Sequence, residues 1–133
     1  MTGINSELPN ILLLYQQFTQ NCGRIEITAS INAGKAYLRQ ERGYYIIEIS
    51  AHDTKEEQTK SLIHELIHLH PSNQWYLGGM YHWNRENSTI NQRINELEAT
   101  IEYQTHHIYK TDLLTIKALE NILDSDAITK QMR

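Results

Sequence analysis

The chain has 133 residues, of which 40% are hydrophobic and 21% are charged. That length fits one domain with a hydrophobic core, so we expect a single domain over residues 1–133, with about ten C-terminal residues that have little to bury and fray. The formal net charge is -4, and the lysines and arginines form no run or stripe. This distribution argues against nucleic-acid binding through phosphate neutralisation.

The N-terminal residues show no targeting segment. They lack a positively charged stretch, and their longest apolar run, residues 11–14, is too short for a signal peptide or a membrane span. The single cysteine, Cys22, excludes an internal disulfide and fits a reducing compartment. We therefore expect a cytoplasmic protein with no membrane partner.

The first half of the chain predicts a helix followed by strands. Apolar residues at helical spacing favour a helix over residues 8–20, with Pro9 in its first turn. Alternating segments at 24–30, 35–40 and 44–50 then predict three strands with turns at 32–34 and 41–43. Together they suggest a small antiparallel sheet.

The second half predicts helices. Thr54 and Glu57 form a capping-box pattern, and apolar residues continue to Pro71, so we expect a helix over residues 54–70. Residues 71–87 show neither helical nor strand periodicity and predict a long loop, of a kind that is often functional. Two further helices are predicted at about 89–109 and 112–123.

Within the predicted helix 54–70, the string HELIH at residues 64–68 carries a pattern for metal chemistry. His64 and His68 lie one turn apart on one face, so two imidazoles can reach one ion. Glu65 stands beside them and can take a proton from a water molecule that the ion activates. The alternative is a pair of hydrogen-bonded core histidines. A structural zinc is disfavoured because only three ligands are evident.

A catalytic zinc needs a third protein ligand, and the helix predicted at 89–109 offers Glu96, Glu98 and Glu102. Ala99 and Thr100 share the face of Glu96, so another helix can approach that face closely. Glu98 has less room around it. The residues alone leave the choice between Glu96 and Glu98 open.

The remaining histidines have weaker functional interpretations. His82, in the predicted loop, can either donate to the oxyanion of a tetrahedral intermediate or simply pack. His70 fits a cap of the helix C-terminus better than a metal ligand. His106 and His107 stand near a predicted helix end, where histidines are usually solvated.

The string HELIHLHP followed by ELEAT resembles the ImmA/IrrE group of zinc metalloendopeptidases and, more broadly, the gluzincins. The resemblance covers about residues 44–109. It implies a Zn2+ ion held by His64, His68 and Glu96, with Glu65 as the general base. Thr100 would occupy the position of the side chain that orients the first histidine, where the family has Asp or Asn. Glu98 stays the alternative ligand.

The resemblance implies an α+β, minimal zincin-like metalloprotease domain, in which a small antiparallel or mixed sheet packs on the HExxH helix between flanking helices. The expected activity is hydrolysis of a peptide bond in a protein or peptide substrate, such as a repressor-like regulator. We expect strand 44–50 to be the outer strand, which would hold an extended substrate by strand addition. The alternative is a regulatory binding module of the same fold without turnover, or a toxin or antitoxin component.

Overall fold

A computed structural model describes residues 8–76 and 88–131 of the chain. The predicted α+β class is confirmed. In chain order the elements are α1 Ile11–Gln20, β1 Gly23–Thr28, β2 Ala36–Glu41, β3 Tyr44–Ser50, α2 Lys55–His68, a 3-10 helix Pro71–Tyr76, α3 Ser88–Thr111, α4 Leu113–Leu123 and β4 Thr129–Gln131. The predicted loop 71–87 thus begins with a 3-10 helix. Its remainder, including His82, lies outside the described residues.

The sheet is mixed, with the strand order β2-β3-β1-β4. β2 and β3 form an antiparallel hairpin, whose tight turn uses the positive φ of 72° at Gly43. β1 pairs with β3, and not with β2, in the parallel direction. The antiparallel sheet that the strand pattern suggested is therefore wrong, whereas the mixed sheet, which was the other expected arrangement, is confirmed. The prediction that 44–50 is the outer strand is also wrong, because β2 covers that edge of β3.

The C-terminal strand β4 was not predicted. Its residues pair in parallel with β1, in the register Glu26 with Thr129 to Thr28 with Gln131. All three β4 side chains are exposed, so backbone hydrogen bonds and the buried Ile128 before them hold the strand. The expectation that the last ten residues fray is thus wrong for residues 129–131.

Helix α2 occupies the centre of the domain. The predicted capping box is present, with the Thr54 hydroxyl accepting from the Glu57 backbone N–H and the Glu57 carboxylate accepting from the Thr54 backbone N–H. Four of its apolar residues are 0% exposed: Leu62, Ile63, Leu66 and Ile67. The helix packs against β3, α1, α3 and α4. Because it is held on several sides, the rotation of the helix, and hence of the HELIH string, is fixed by the core.

The loop before β2 is tied to the segment that precedes α2. The Gly34 backbone N–H donates to the Asp53 carboxylate at 2.7 Å, and Gly34 adopts a positive φ of 81°. Asp53 itself is buried. This contact brings the start of β2 close to α2. Within the described residues, no helix is both long and apolar enough to cross a membrane.

Candidate metal centre

Two histidine side chains of α2 face each other. His64 and His68 are one turn apart, and their ring centroids are separated by 4.8 Å with an interplanar angle of 56°. The Nε2 atoms of the two rings lie 3.1 Å apart. The donor atoms of His64, Glu65 and His68 all fall within 4.8 Å of one another. The predicted pair of imidazoles and the neighbouring carboxylate thus form one cluster.

A carboxylate from α3 lies against both rings, and it belongs to Glu98. One Glu98 oxygen lies 3.1 Å from Nε2 of His68, and the other lies 3.4 Å from Nε2 of His64. The side chain of His68 is 10% exposed, whereas that of Glu98 is 42% exposed. Glu98, the alternative ligand in the sequence analysis, is therefore the α3 carboxylate that the fold brings to the imidazoles.

Glu96, the ligand implied by the family pattern, lies on another face of α3. It is exposed, and its carboxylate accepts from the Gln92 side chain at 3.3 Å. Thr100 does not reach His64 either, since its hydroxyl donates to the Glu96 backbone carbonyl at 2.9 Å. In this structure neither Glu96 nor Thr100 thus contacts the imidazoles, and the ligand assignment that the resemblance implies stays a prediction.

The apolar stripe of α3 contains the signal that separates the two glutamates. Ile94, Leu97 and Ile101 are buried against the core. At about 100° per residue, Glu98 lies roughly 70° from the centre of that stripe, whereas Glu96 lies roughly 130° from it. Glu98 therefore sits at the border of the buried face. The small Ala99 beside Glu96 is exposed, so it does not mark a close helix contact.

Glu102, four residues after Glu98, faces the other ring nitrogen of His64. Its carboxylate lies 3.5 Å from Nδ1 of His64, and its side chain is 75% exposed. A carboxylate at this ring nitrogen fixes the tautomer and orientation of a metal-binding histidine. Glu102 therefore occupies the place that the resemblance assigned to Thr100. Its spacing of one turn from Glu98 is the sequence feature that relates the two residues.

The charges of the cluster are strongly coupled. Burial alone lowers the pKa of His64, but the contact with Glu98 and the neighbouring carboxylates of Glu65 and Glu102 outweigh burial, so the net pKa is raised. Contacts with His64 and His68 hold the pKa of Glu98 far below its usual range. Burial raises the pKa of Glu65, against the opposing effect of the two histidines. Glu98 is thus an anion, whereas the pKa of Glu65 is raised towards neutral pH.

A neutral His64 has too few N–H groups to donate a hydrogen bond at each of its contacts. A neutral imidazole has one N–H group, yet the ring nitrogens of His64 face Glu102 on one side and Glu98 on the other. The Nε2 atom also faces the Nε2 atom of His68. A neutral His64 can therefore satisfy only one of its two carboxylate contacts. Either a second proton on the ring or a cation between the nitrogen and oxygen atoms would resolve this arrangement.

The distances among these atoms are close to those between the ligand atoms of a zinc ion. Around a tetrahedral zinc with ligand distances of about 2.0–2.1 Å, the ligand atoms lie about 3.3 Å from each other. In this structure the Nε2 atoms of His64 and His68 lie 3.1 Å apart. Oε1 of Glu98 lies 3.1 Å from Nε2 of His68 and Oε2 lies 3.4 Å from Nε2 of His64, so each imidazole contacts a different carboxylate oxygen. Two imidazoles and one carboxylate also form a ligand set found at catalytic zinc sites. The donor set therefore suits this metal, and for tetrahedral binding a single Glu98 oxygen would have to approach both imidazoles.

A groove opens beside the cluster. Its volume is about 280 Å³, and its walls come from the start of β2, from α2 and from α3. The residues that line it are Gly34, Lys35, Ala36, Lys60, Ser61, His64, Glu65, Glu102, Thr105 and His106. The groove therefore reaches from the sheet to His64, a candidate metal ligand, and to Glu65, the candidate general base.

Among the described residues, His70, His106 and His107 are not part of the cluster of His64, Glu65 and His68. Nδ1 of His70 accepts from the Ser72 backbone N–H at 3.2 Å and lies 2.8 Å from the Ser72 hydroxyl, so this ring stabilises the turn after α2. His107 stacks on Tyr103, with ring centroids 5.9 Å apart. His106 is exposed and lines the groove.

No model of a protein family matches this chain. No curated protein and no solved structure matches it either. The likeness to the ImmA/IrrE group thus stays a prediction from the HELIHLHP and ELEAT strings. The functional interpretation depends on the geometry of the cluster and of the groove beside it.

Proposed function

We propose that this chain is a zinc-dependent metalloendopeptidase with a zincin-like fold, in which His64, His68 and Glu98 hold the metal. The observation that carries the proposal is the convergence of their side chains: the two Nε2 atoms lie 3.1 Å apart, and the Glu98 carboxylate lies 3.1 Å from one and 3.4 Å from the other. Glu65 stands within the same cluster. The sheet, the central helix α2 and the crossing helix α3 support the assignment to a zincin-like domain.

Zinc, when bound, supplies Lewis acidity, which lowers the pKa of water towards about 7 and polarises a substrate carbonyl. The chain has three tasks beside this chemistry: a proton must be moved, His64 must be oriented, and the peptide must be held. Each task has a candidate group in the structure.

Glu65 is the candidate for proton transfer. It accepts a proton from the attacking water and then passes it to the nitrogen of the leaving amine. Such a group works best when its pKa is closer to the operating pH than that of an ordinary glutamate. Burial of Glu65 raises its pKa in this direction. Glu102 orients His64 through Nδ1, so that Nε2 points towards Glu98 and His68.

The outer strand β2 is the candidate for holding the peptide. It lies at the edge of the sheet, in the order β2-β3-β1-β4, and Ala36 at its start lines the groove with His64 and Glu65. An extended peptide can add to such an edge through backbone hydrogen bonds. The substrate would be a protein or peptide, and the family resemblance suggests a repressor-like regulator.

Metal analysis and a cleavage assay together test the proposal. The purified protein should contain about one zinc per chain, and His64→Ala should contain none. Glu65→Gln should retain zinc but lose cleavage of a peptide mixture, because the amide cannot accept the proton. Glu96→Gln, which removes a nearby carboxylate outside the cluster, is the matched control and should keep both properties.

A capture experiment separates a protease from a binding module. Glu65→Gln should retain on a column a partner that the wild type cuts. If both forms hold the partner intact, the chain is a binding module and the peptidase proposal fails. Growth arrest that depends on Glu65 would identify a toxin component, with cleavage of a cellular target as its cause.

A further inference from the structure

The groove beside Glu65 is rich in hydrogen-bond donors. Lys35 enters from the segment before β2, Lys60 from α2 and His106 from α3. Among residues 8–76 and 88–131, the ion pairs involve neither Lys35 nor His106. Lys60 lies 3.8 Å from Glu56, a side chain that is itself 60% exposed, and its ammonium lies 4.8 Å from the centroid of the Tyr109 ring. An exposed pair at that distance is weak, so Lys60 can turn to another anion.

The two carboxylates that line the groove are already engaged. Glu102 faces Nδ1 of His64, and Glu65 lies in the cluster with His64 and His68. The lysine ammonium groups therefore supply the charge that is left for a ligand. An incoming anion would meet Lys35 from the segment before β2 and Lys60 from α2.

Thr105 adds a buried donor to the same groove. Its residue surface is 7% exposed, and its hydroxyl oxygen has no hydrogen-bond partner. A buried hydroxyl without a partner is unusual, because desolvation is then uncompensated. The residue lines the groove from α3. The hydroxyl oxygen is itself closed to solvent, so a ligand oxygen would supply the missing partner only after a small shift of the groove wall.

We infer that this groove selects peptides with an aspartate or glutamate side chain next to the scissile bond. Ammonium groups donate hydrogen bonds but do not accept them, and a hydroxyl can also donate, whereas a carboxylate only accepts. Bonds between such ionised partners are stronger than bonds between neutral groups. The inference rests on the proposed peptidase function, because the groove begins at His64 and Glu65.

A cleavage screen with a synthetic peptide library tests this selectivity. The zinc-loaded wild type is incubated with peptides randomised on both sides of a central bond, and the cut sites are read by mass spectrometry. We expect Asp and Glu to exceed Asn and Gln by about tenfold at one of the two flanking positions. Higher ionic strength should reduce this ratio, because the lysines are screened.

Variants of the groove should change the selectivity in a defined way. Lys35→Met with Lys60→Met should remove most of the preference, and the double change to glutamate should redirect it towards Lys and Arg. Thr105→Val keeps the shape but removes the donor, and should reduce the preference a few-fold. Lys117→Met is the matched control: it removes one charge from an exposed site on α4 and should leave the ratio unchanged.

Cleavage without an acidic preference, or a preference that survives charge reversal, would overturn the inference. If the library is not cut at all, the peptidase proposal fails, and the groove is judged by binding alone. Blocked fluorescent Ala-Glu-Ala and Ala-Gln-Ala peptides are then titrated against the wild type and the charge-reversed variant. Tighter binding of the glutamate peptide only to the wild type supports an acidic-ligand groove, and equal affinities contradict it.

Discussion

Helices α2 and α3 both supply side chains to the candidate metal centre, but they are held in different ways. α2 packs on several sides and carries four apolar residues that are 0% exposed. α3 is buried along one stripe, and Glu98 and Glu102 stand at the margin of that stripe with side chains 42% and 75% exposed. The imidazoles are thus held on a helix that the core fixes, whereas the carboxylates are more exposed and contact the imidazoles from the side of α3.

This difference predicts which side chains of the centre need the metal to keep their positions. A buried imidazole keeps its position when the ion leaves, because the surrounding side chains hold the helix. An exposed glutamate loses its main attraction and regains rotamer freedom. A bound cation should therefore order the α3 side of the centre more than the α2 side.

The largest effect that tests the comparison is on folding stability. Leu62→Ala, in the fully buried face of α2, should lower the free energy of unfolding by about 2–5 kcal/mol. Tyr103→Ala, at a 65% exposed position of α3, should change it by no more than about 0.5 kcal/mol. Urea unfolding with a chelator present measures both values. Equal losses would show that α3 is held as firmly as α2.

The next effect concerns the carboxylate behind His64. Glu102→Ala should weaken zinc binding by about tenfold, near the lower end of what such outer partners contribute, because the side chain is exposed. Thr100→Val is the matched change on the same helix, and should leave zinc binding unchanged, since that hydroxyl only bonds to its own helix backbone. Competition with a zinc-binding dye measures the affinities. A larger loss of zinc affinity for Thr100→Val would indicate that Thr100 orients His64, as the family motif implies.

Acid should weaken the metal site through His64. An imidazole must be deprotonated at the nitrogen that binds zinc, and the pKa of His64 is raised above its usual 6.5. Affinity should therefore begin to fall above pH 6.5 as the pH is lowered, by about tenfold per pH unit for each proton displaced. Glu98 stays ionised over this range, because its pKa is strongly lowered. A zinc affinity that is constant from pH 8 to pH 6 would contradict this coupling.

Longer elements with regular apolar spacing could be predicted from the sequence, and shorter ones could not. The helices and the first three strands could be predicted because apolar spacing and the Thr54 capping box are local signals. Strand β4 could not, since it has three exposed residues and depends on backbone pairing with β1. Strand order is also a non-local property: nothing within residues 44–50 indicates that two other strands flank them.

The candidate site shows the same division between local and non-local information. The separation of His64 and His68 by four residues is a property of one helix, so the sequence predicts that they face each other. The choice between Glu96 and Glu98 depends on how α3 rotates against α2. The ELEAT string favoured Glu96 by resemblance, whereas the burial of Ile94, Leu97 and Ile101 turns Glu98 towards the imidazoles. The apolar stripe, and not the ELEAT string, thus indicates which glutamate contacts both imidazoles in this structure.

Zinc titration of Glu98→Gln and Glu96→Gln, side by side with the wild type, is the most direct measurement. Both variants remove one negative charge from the same helix turn, so a general electrostatic effect would weaken both alike. If Glu98 is a ligand, Glu98→Gln should lose at least about 100-fold in affinity, more than an outer partner contributes, while Glu96→Gln binds like the wild type. Unchanged binding by Glu98→Gln, or a loss confined to Glu96→Gln, would contradict a centre built from His64, His68 and Glu98.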